Sequence, residues 1–291
     1  MYPIFVAFKF DILLLQIMRT AHKRKGENIM KYPNSKFTGM SMVTVTTIND
    51  AISDYYPNTT QTGGVQRLAL LKKATNLDKL IDFCIDGYRA WGDAVLMWAG
   101  AYKKIGNYPA EIADAKKYVR EEVSTYLKGK PFLLESDYDA WHKKICVNLA
   151  DNNQYFTGYS AHRKTATKYK NGFTIGNAQK FLNMLMKDLY ACLSVEPTFW
   201  PGYDEDNLGY EDYFKFCHMP LDSYILKFVD DIRYREKKTH ARAFACWSNI
   251  TDYDDYMKEQ EEIRDYVIKY KCNPTVTVLQ TEFVVWPLYK E

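Results

Sequence analysis

An all-α fold is what this chain of 291 residues predicts, on three observations. Apolar residues recur at helical spacing through most of its length, Gly, Pro and Asn breaks punctuate those runs, and only two short stretches have strand-like β-branched composition. With 47% hydrophobic residues the chain can bury a substantial core, and its length suits one helical globule or two interlocked lobes.

Taken in order, residues 1–18, "MYPIFVAFKFDILLLQIM", are apolar but interrupted by Lys9 and Asp11, which leaves each side short of the ~20 residues a membrane span needs. No basic segment precedes this run and no small-residue cleavage site follows it. Residues 1–29 are therefore expected to be a leader or flexible N-terminal extension, with the helical domain over 30–291. "MVTVTTI" (42–48) has strand-like β-branched composition. Helical periodicity then marks 65–84, 90–103, 111–128, 137–150, 178–193, 222–235 and 252–271. Its clearest case is 111–128, where Ile112, Ala115, Val119, Val123 and Tyr126 share one face and Gly129 stands at the C-terminal cap position. "TVTVLQTEFVVW" (275–286) fits either a strand or a helix, since Asn273-Pro274 is also a good N-cap and first-turn pair. Neither an internal repeat nor a linker is present.

Charge and cysteines narrow the functional classes. Thirty-nine basic against 36 acidic residues leave +3, too mild by itself to announce nucleic acid. The six cysteines form no CxxC pair and the five histidines are scattered, so neither a metal site nor a cofactor is expected. The thiols read as reduced core residues of a cytoplasmic protein.

Chemistry concentrates in "NGFTIGNAQKFLNMLMKDLY" (171–190), a glycine-spaced turn running into a helix. On the helical wheel Ala178, Phe181, Leu182, Leu185, Leu189 and Cys192 share the buried side, whereas Lys180, Asn183 and Lys187 fall opposite, away from the core. Lys180 is expected in the first helical turn, where the macrodipole disfavours an ammonium. A lysine that loses its proton readily is a nucleophile able to form a Schiff base. An ordinary solvated helix face has the same pattern. Further on, "CHMPLDSYILKFVDD" (217–231) opens another helix, with Asp222 as its N-cap, held rigid and ionised by backbone amides.

"TIGNAQKFLNMLMKDL" followed by "MPLDSYIL" resembles the helix-hairpin-helix DNA glycosylases with lyase activity, especially their archaeal 8-oxoguanine branch. The resemblance covers about residues 170–235 and implies two helical lobes flanking a cleft. It implies Lys180 as nucleophile and Asp222 as partner carboxylate, with Lys187 the competing amine. The hairpin offers Ile175-Gly176-Asn177 where that family has two glycines flanking one apolar residue, and Gly176 and Asn177 are expected to meet the DNA backbone. So are Arg163, Lys164 and Lys168, in the basic cluster "AHRKTATKYK" (161–170); a second cluster, "RYREKKTHAR", spans 233–242. Glu282 and Trp286, one turn apart if their segment is helical, resemble the pair that grips the extruded base in the archaeal branch. Lys180 and Asp222 lie 42 residues apart, and the intervening insertion leaves room for a bulky base, such as a hypermodified base of viral DNA in an antiphage role.

The expected partner is double-stranded DNA, met by a monomer with no small-molecule cofactor and no membrane contact. A rival reading is a helical HEPN-type RNase, whose Arg-x4-His spacing is matched by Arg235 and His240. A non-catalytic helical DNA-binding protein is the third.

Overall fold

Helices account for all regular secondary structure among the described residues. The computed structural model describes residues 37–55, 74–86, 108–151, 173–201, 209–239 and 241–290, all within one compact unit, Lys36–Glu291. The expected leader, the helical pattern at 90–103, the basic cluster at 161–170 with Arg163, Lys164 and Lys168, and His240 lie outside the described residues.

Nine α-helices carry the fold among those residues: α1 (Val45–Tyr55), α2 (Leu77–Asp86), α3 (Tyr108–Lys128), α4 (Glu135–Asp151), α5 (Ile175–Val195), the single turn α6 (Glu211–Phe214), α7 (Ser223–Arg235), α8 (Tyr253–Tyr270) and α9 (Val278–Lys290). Helix α3 buries Ala115, Val119, Val123 and Tyr126, and Gly129 closes it by donating to the Tyr126 carbonyl. Helix α5 is the axle, packed by α4, α2, α1 and α8.

The strand-like stretch 42–48 is corrected to a helix from Val45 on, the open choice at 275–286 falls to a helix from Val278 on, and local capping explains both. At α1, Thr47 N donates to Thr44 Oγ1 (3.1 Å) and Thr44 N to Thr47 Oγ1 (2.8 Å), a reciprocal box that satisfies otherwise orphaned amides. Ile48 and Ile52, one turn apart, then face the core. At α9, Thr277 and Gln280 repeat the device: Gln280 N donates to Thr277 Oγ1 and Thr277 N to Gln280 Oε1. That box, rather than Asn273-Pro274, starts the helix. Asn273 instead accepts from Thr275 N within the preceding turn. β-Branched residues lower helix propensity by only tenths of a kcal/mol each, less than capping and burial supply.

No described helix is long and apolar enough to cross a membrane. Cys84, Cys146, Cys192 and Cys217 are buried as expected, whereas Cys246 is half-buried and Cys272 exposed.

Candidate active site

The segment expected to form a hairpin is the first turn of α5. Thr174 caps the helix through a box with Asn177, so α5 begins at Ile175 and Lys180 falls in its second turn rather than its first. The macrodipole weakens beyond the terminal turn, and a specific partner governs Lys180 instead. Its face is not solvated either. Lys180 is 6% exposed, Asn183 0% and Lys187 2%, because neighbouring helices cover α5 on every side.

Gly176 and Asn177, expected at the DNA backbone, are likewise buried. The Gly176 amide donates to the Ile250 carbonyl at 3.0 Å, and a Cβ at this position would overlap the Trp247 carbonyl oxygen. Asn177 is fully buried in its capping box. The glycine lets the single turn Trp247–Asn249 press onto α5.

Lys180 Nζ donates to Asp222 Oδ2 at 3.0 Å, across a gap of 42 residues in sequence. The other oxygen, Oδ1, N-caps α7 by accepting from the Tyr224 and Ile225 amides, both at 2.9 Å. Trp286 Nε1 donates to Oδ2 at 2.8 Å. Burial pushes the Asp222 carboxyl up, but the Lys180 charge, the Ile225 amide and the Trp286 indole outweigh it and hold the group below the usual carboxylate range. Asp222 is thus a fixed, ionised carboxylate.

Two turns further along, α5 meets α9. Lys187 forms a short ion pair with Glu282, and the two side chains are 2% and 1% exposed. The Lys187 ammonium also lies over the rings of Tyr55 (4.3 Å), Phe283 (4.9 Å) and Trp286 (5.5 Å). Glu282 Oε1 meets no hydrogen-bond donor among the described residues. Burial pushes the Glu282 carboxyl up, partly offset by Lys187. Lys180, Asp222, Glu282, Trp286 and Lys187 thus form one linked group, in which Trp286 touches both ion pairs.

The second basic cluster, 233–242, is largely committed to internal acids. Arg233 is buried and bonds to Glu259 at 2.8 Å and Glu262 at 3.0 Å. Arg242 reaches Asp230 at 3.1 Å. Arg235, proposed for RNA chemistry, pairs with Asp231 (3.0 Å) and donates to the Phe37 carbonyl (2.6 Å), so its guanidinium serves the fold. The acids come from α7 and α8, and nothing within the cluster itself announces them.

Sequence reasoning missed a buried polar chain beside the site. Asp139 faces His218 Nε2 (2.8 Å), His218 Nδ1 faces Tyr256 OH (2.7 Å), and Asn183 Nδ2 donates to both Tyr256 OH (2.9 Å) and Gln179 Oε1 (3.1 Å). His142 Nε2 joins it at Asn183 Oδ1, 2.9 Å away. Burial holds both imidazoles neutral: it pushes His142 well below its ordinary value and His218 down to about 4. The available signal was the polar residues Gln179, Lys180, Asn183 and Lys187, recurring at helical spacing within a largely apolar helix.

No protein-family model, curated protein or solved structure matches this chain.

Proposed function

We propose that the protein is a DNA glycosylase that excises a damaged or modified base and uses Lys180 as a Schiff-base nucleophile, acting as a cytoplasmic monomer on double-stranded DNA. The observation that carries this reading is the Lys180–Asp222 contact at 3.0 Å, between an amine and a rigidly capped carboxylate that are both nearly buried. The target nucleotide leaves the base stack, since the bond to be cut is hidden within a duplex. As the C1′–N bond breaks, the electron pair goes to the base, and Asp222 stabilises the positive charge that develops on the sugar. Lys180 Nζ bonds to C1′, and the proton it loses passes to the departing base. Ring opening yields an imine, from which elimination of the 3′ phosphate cuts the strand. Trp286 supplies a stacking face, and the buried Oε1 of Glu282, unpaired among the described residues, accepts from the edge of the base. The base excised is 8-oxoguanine-like or a hypermodified base of phage DNA.

An oligonucleotide carrying an abasic site, incubated with the protein and borohydride, tests the chemistry without knowledge of the base. Wild-type protein is expected to form a covalent adduct, and Lys180→Ala to form none. Duplex binding without adduct or base loss, over a panel of modified oligonucleotides and phage genomes, would leave a non-catalytic DNA-binding protein. RNA cleavage abolished by His240→Ala would point to the HEPN-type reading.

A further inference from the structure

The stretch 217–222 leading into α7 has no regular structure, yet Met219 and Leu221 are fully buried. Buried backbone groups need partners, and no strand or helix supplies them here. Two glutamines do. Gln179 of α5 donates from Nε2 to the Leu221 carbonyl (2.9 Å) and accepts from the Leu221 amide at Oε1 (3.2 Å). Gln260 of α8 treats Met219 in the same way, with Nε2 to the carbonyl at 2.7 Å and the amide to Oε1 at 3.2 Å. Between them stands Pro220, which has no N–H to satisfy. Each side-chain amide thus acts as a neighbouring strand would. Asn183 Nδ2 donates to Gln179 Oε1 and the Gly176 carbonyl accepts from its Nε2 (3.0 Å), which locks the orientation of that amide.

Gln179 adjoins Lys180 and Leu221 adjoins Asp222, so the clamp couples the two backbones that carry the candidate reacting side chains. We propose that Gln179 and Gln260 are positioning residues, a double amide clamp that holds 219–221 in place and thereby sets the reach from Asp222 to Lys180. A role in catalysis for this clamp rests on the glycosylase reading; its effect on Asp222 does not. A glutamine is needed because an apolar side chain of equal volume would fill the space and leave both backbone groups unpaired.

The test is the titration of Asp222 in the full-length protein labelled at aspartate 13Cγ, its resonance assigned by its loss in Asp222→Asn. Gln179→Met keeps the volume and removes both hydrogen bonds. With the reach to Lys180 relaxed, the carboxyl midpoint is expected to rise by about one pH unit, because an opposite charge at close range is what keeps it low. Gln260→Met loosens the far end and is expected to give a smaller rise; it decides the matter if Gln179→Met does not fold. On abasic DNA, adduct formation in Gln179→Met is expected to slow about 10- to 100-fold at unchanged DNA affinity, the signature of a misplaced group rather than lost binding. An unmoved Asp222 titration in the folded variants would overturn the clamp even if their melting temperature fell. A wild-type protein that never forms an adduct would instead sink the glycosylase reading and leave the titration to decide the clamp.

Discussion

Gly176→Ala separates two readings of the same glycine by the sign of its effect. By helix propensity alone, alanine in place of glycine inside a helix stabilises by up to about 1 kcal/mol. A solvent-facing hairpin glycine would show that gain, or no change, together with weaker DNA binding. The structure predicts the opposite. The added Cβ would overlap the Trp247 carbonyl oxygen, stand 2.9 Å from the carbonyl carbon and 3.2 Å from Ser248 Cα. These are backbone atoms of a short turn that cannot rotate away, so α5 and the turn must separate. Overpacking of this kind costs roughly 1–3 kcal/mol. The same displacement stretches the 3.0 Å hydrogen bond from Gly176 N to Ile250 O, worth about 1 kcal/mol and more if its groups stay buried and unpaired. After the propensity gain is subtracted, a net loss of about 1–3 kcal/mol is expected. For a chain of this length that lowers the melting temperature by about 2–5 °C. Urea unfolding of the variant and wild type, with thermal melts alongside, measures it. A Gly176→Ala protein as stable as wild type or more so would refute the packing argument and return the glycine to the surface.

Acid is expected to destabilise the fold through its buried histidines. The unfolded chain binds a proton at His218 as the pH falls below 6.5, the folded chain only near about 4, so the unfolded state gains protons first and stability is lost across that window. At about pH 4.5 the loss from His218 alone is on the order of 2–3 kcal/mol relative to neutral pH. His142 adds to it in the same direction, since burial lowers that imidazole too. Urea melts at the two pH values report the difference, and a flat profile would show that neither ring is held neutral. Glu282→Gln leaves the Lys187 ammonium buried without its carboxylate and is expected to cost about 3–5 kcal/mol. Lys187→Met combined with Glu282→Leu should recover most of that cost, because no charge then remains to be desolvated. A double-mutant cycle by chemical unfolding checks both statements, and a Glu282→Gln cost under about 1 kcal/mol would mean that the pair is open to water.

Helices and their caps were legible along the chain because helix formation is set by neighbours three and four residues apart. The face of α3, the N-cap at Asp222 and the candidate pairing of Lys180 with Asp222 could all be read there, the last through a resemblance rather than spacing. What required the tertiary structure is the environment. Whether the polar stripe of α5 meets water or other helices depends on α1, α2, α4 and α8, elements remote in sequence, and periodicity marks polar and apolar faces without saying what covers them. The interior role of Gly176 depends on a turn more than 70 residues downstream, and the internal pairing of the 233–242 cluster on acids from α8. The meeting of Lys187 with Glu282, and of Gln179 and Gln260 with the segment before Asp222, joins groups whose separation along the chain carries no signal. Local periodicity and capping determined the secondary structure; desolvation and hydrogen-bond satisfaction, which arise only when distant segments close upon one another, decided which of its polar residues became buried partners.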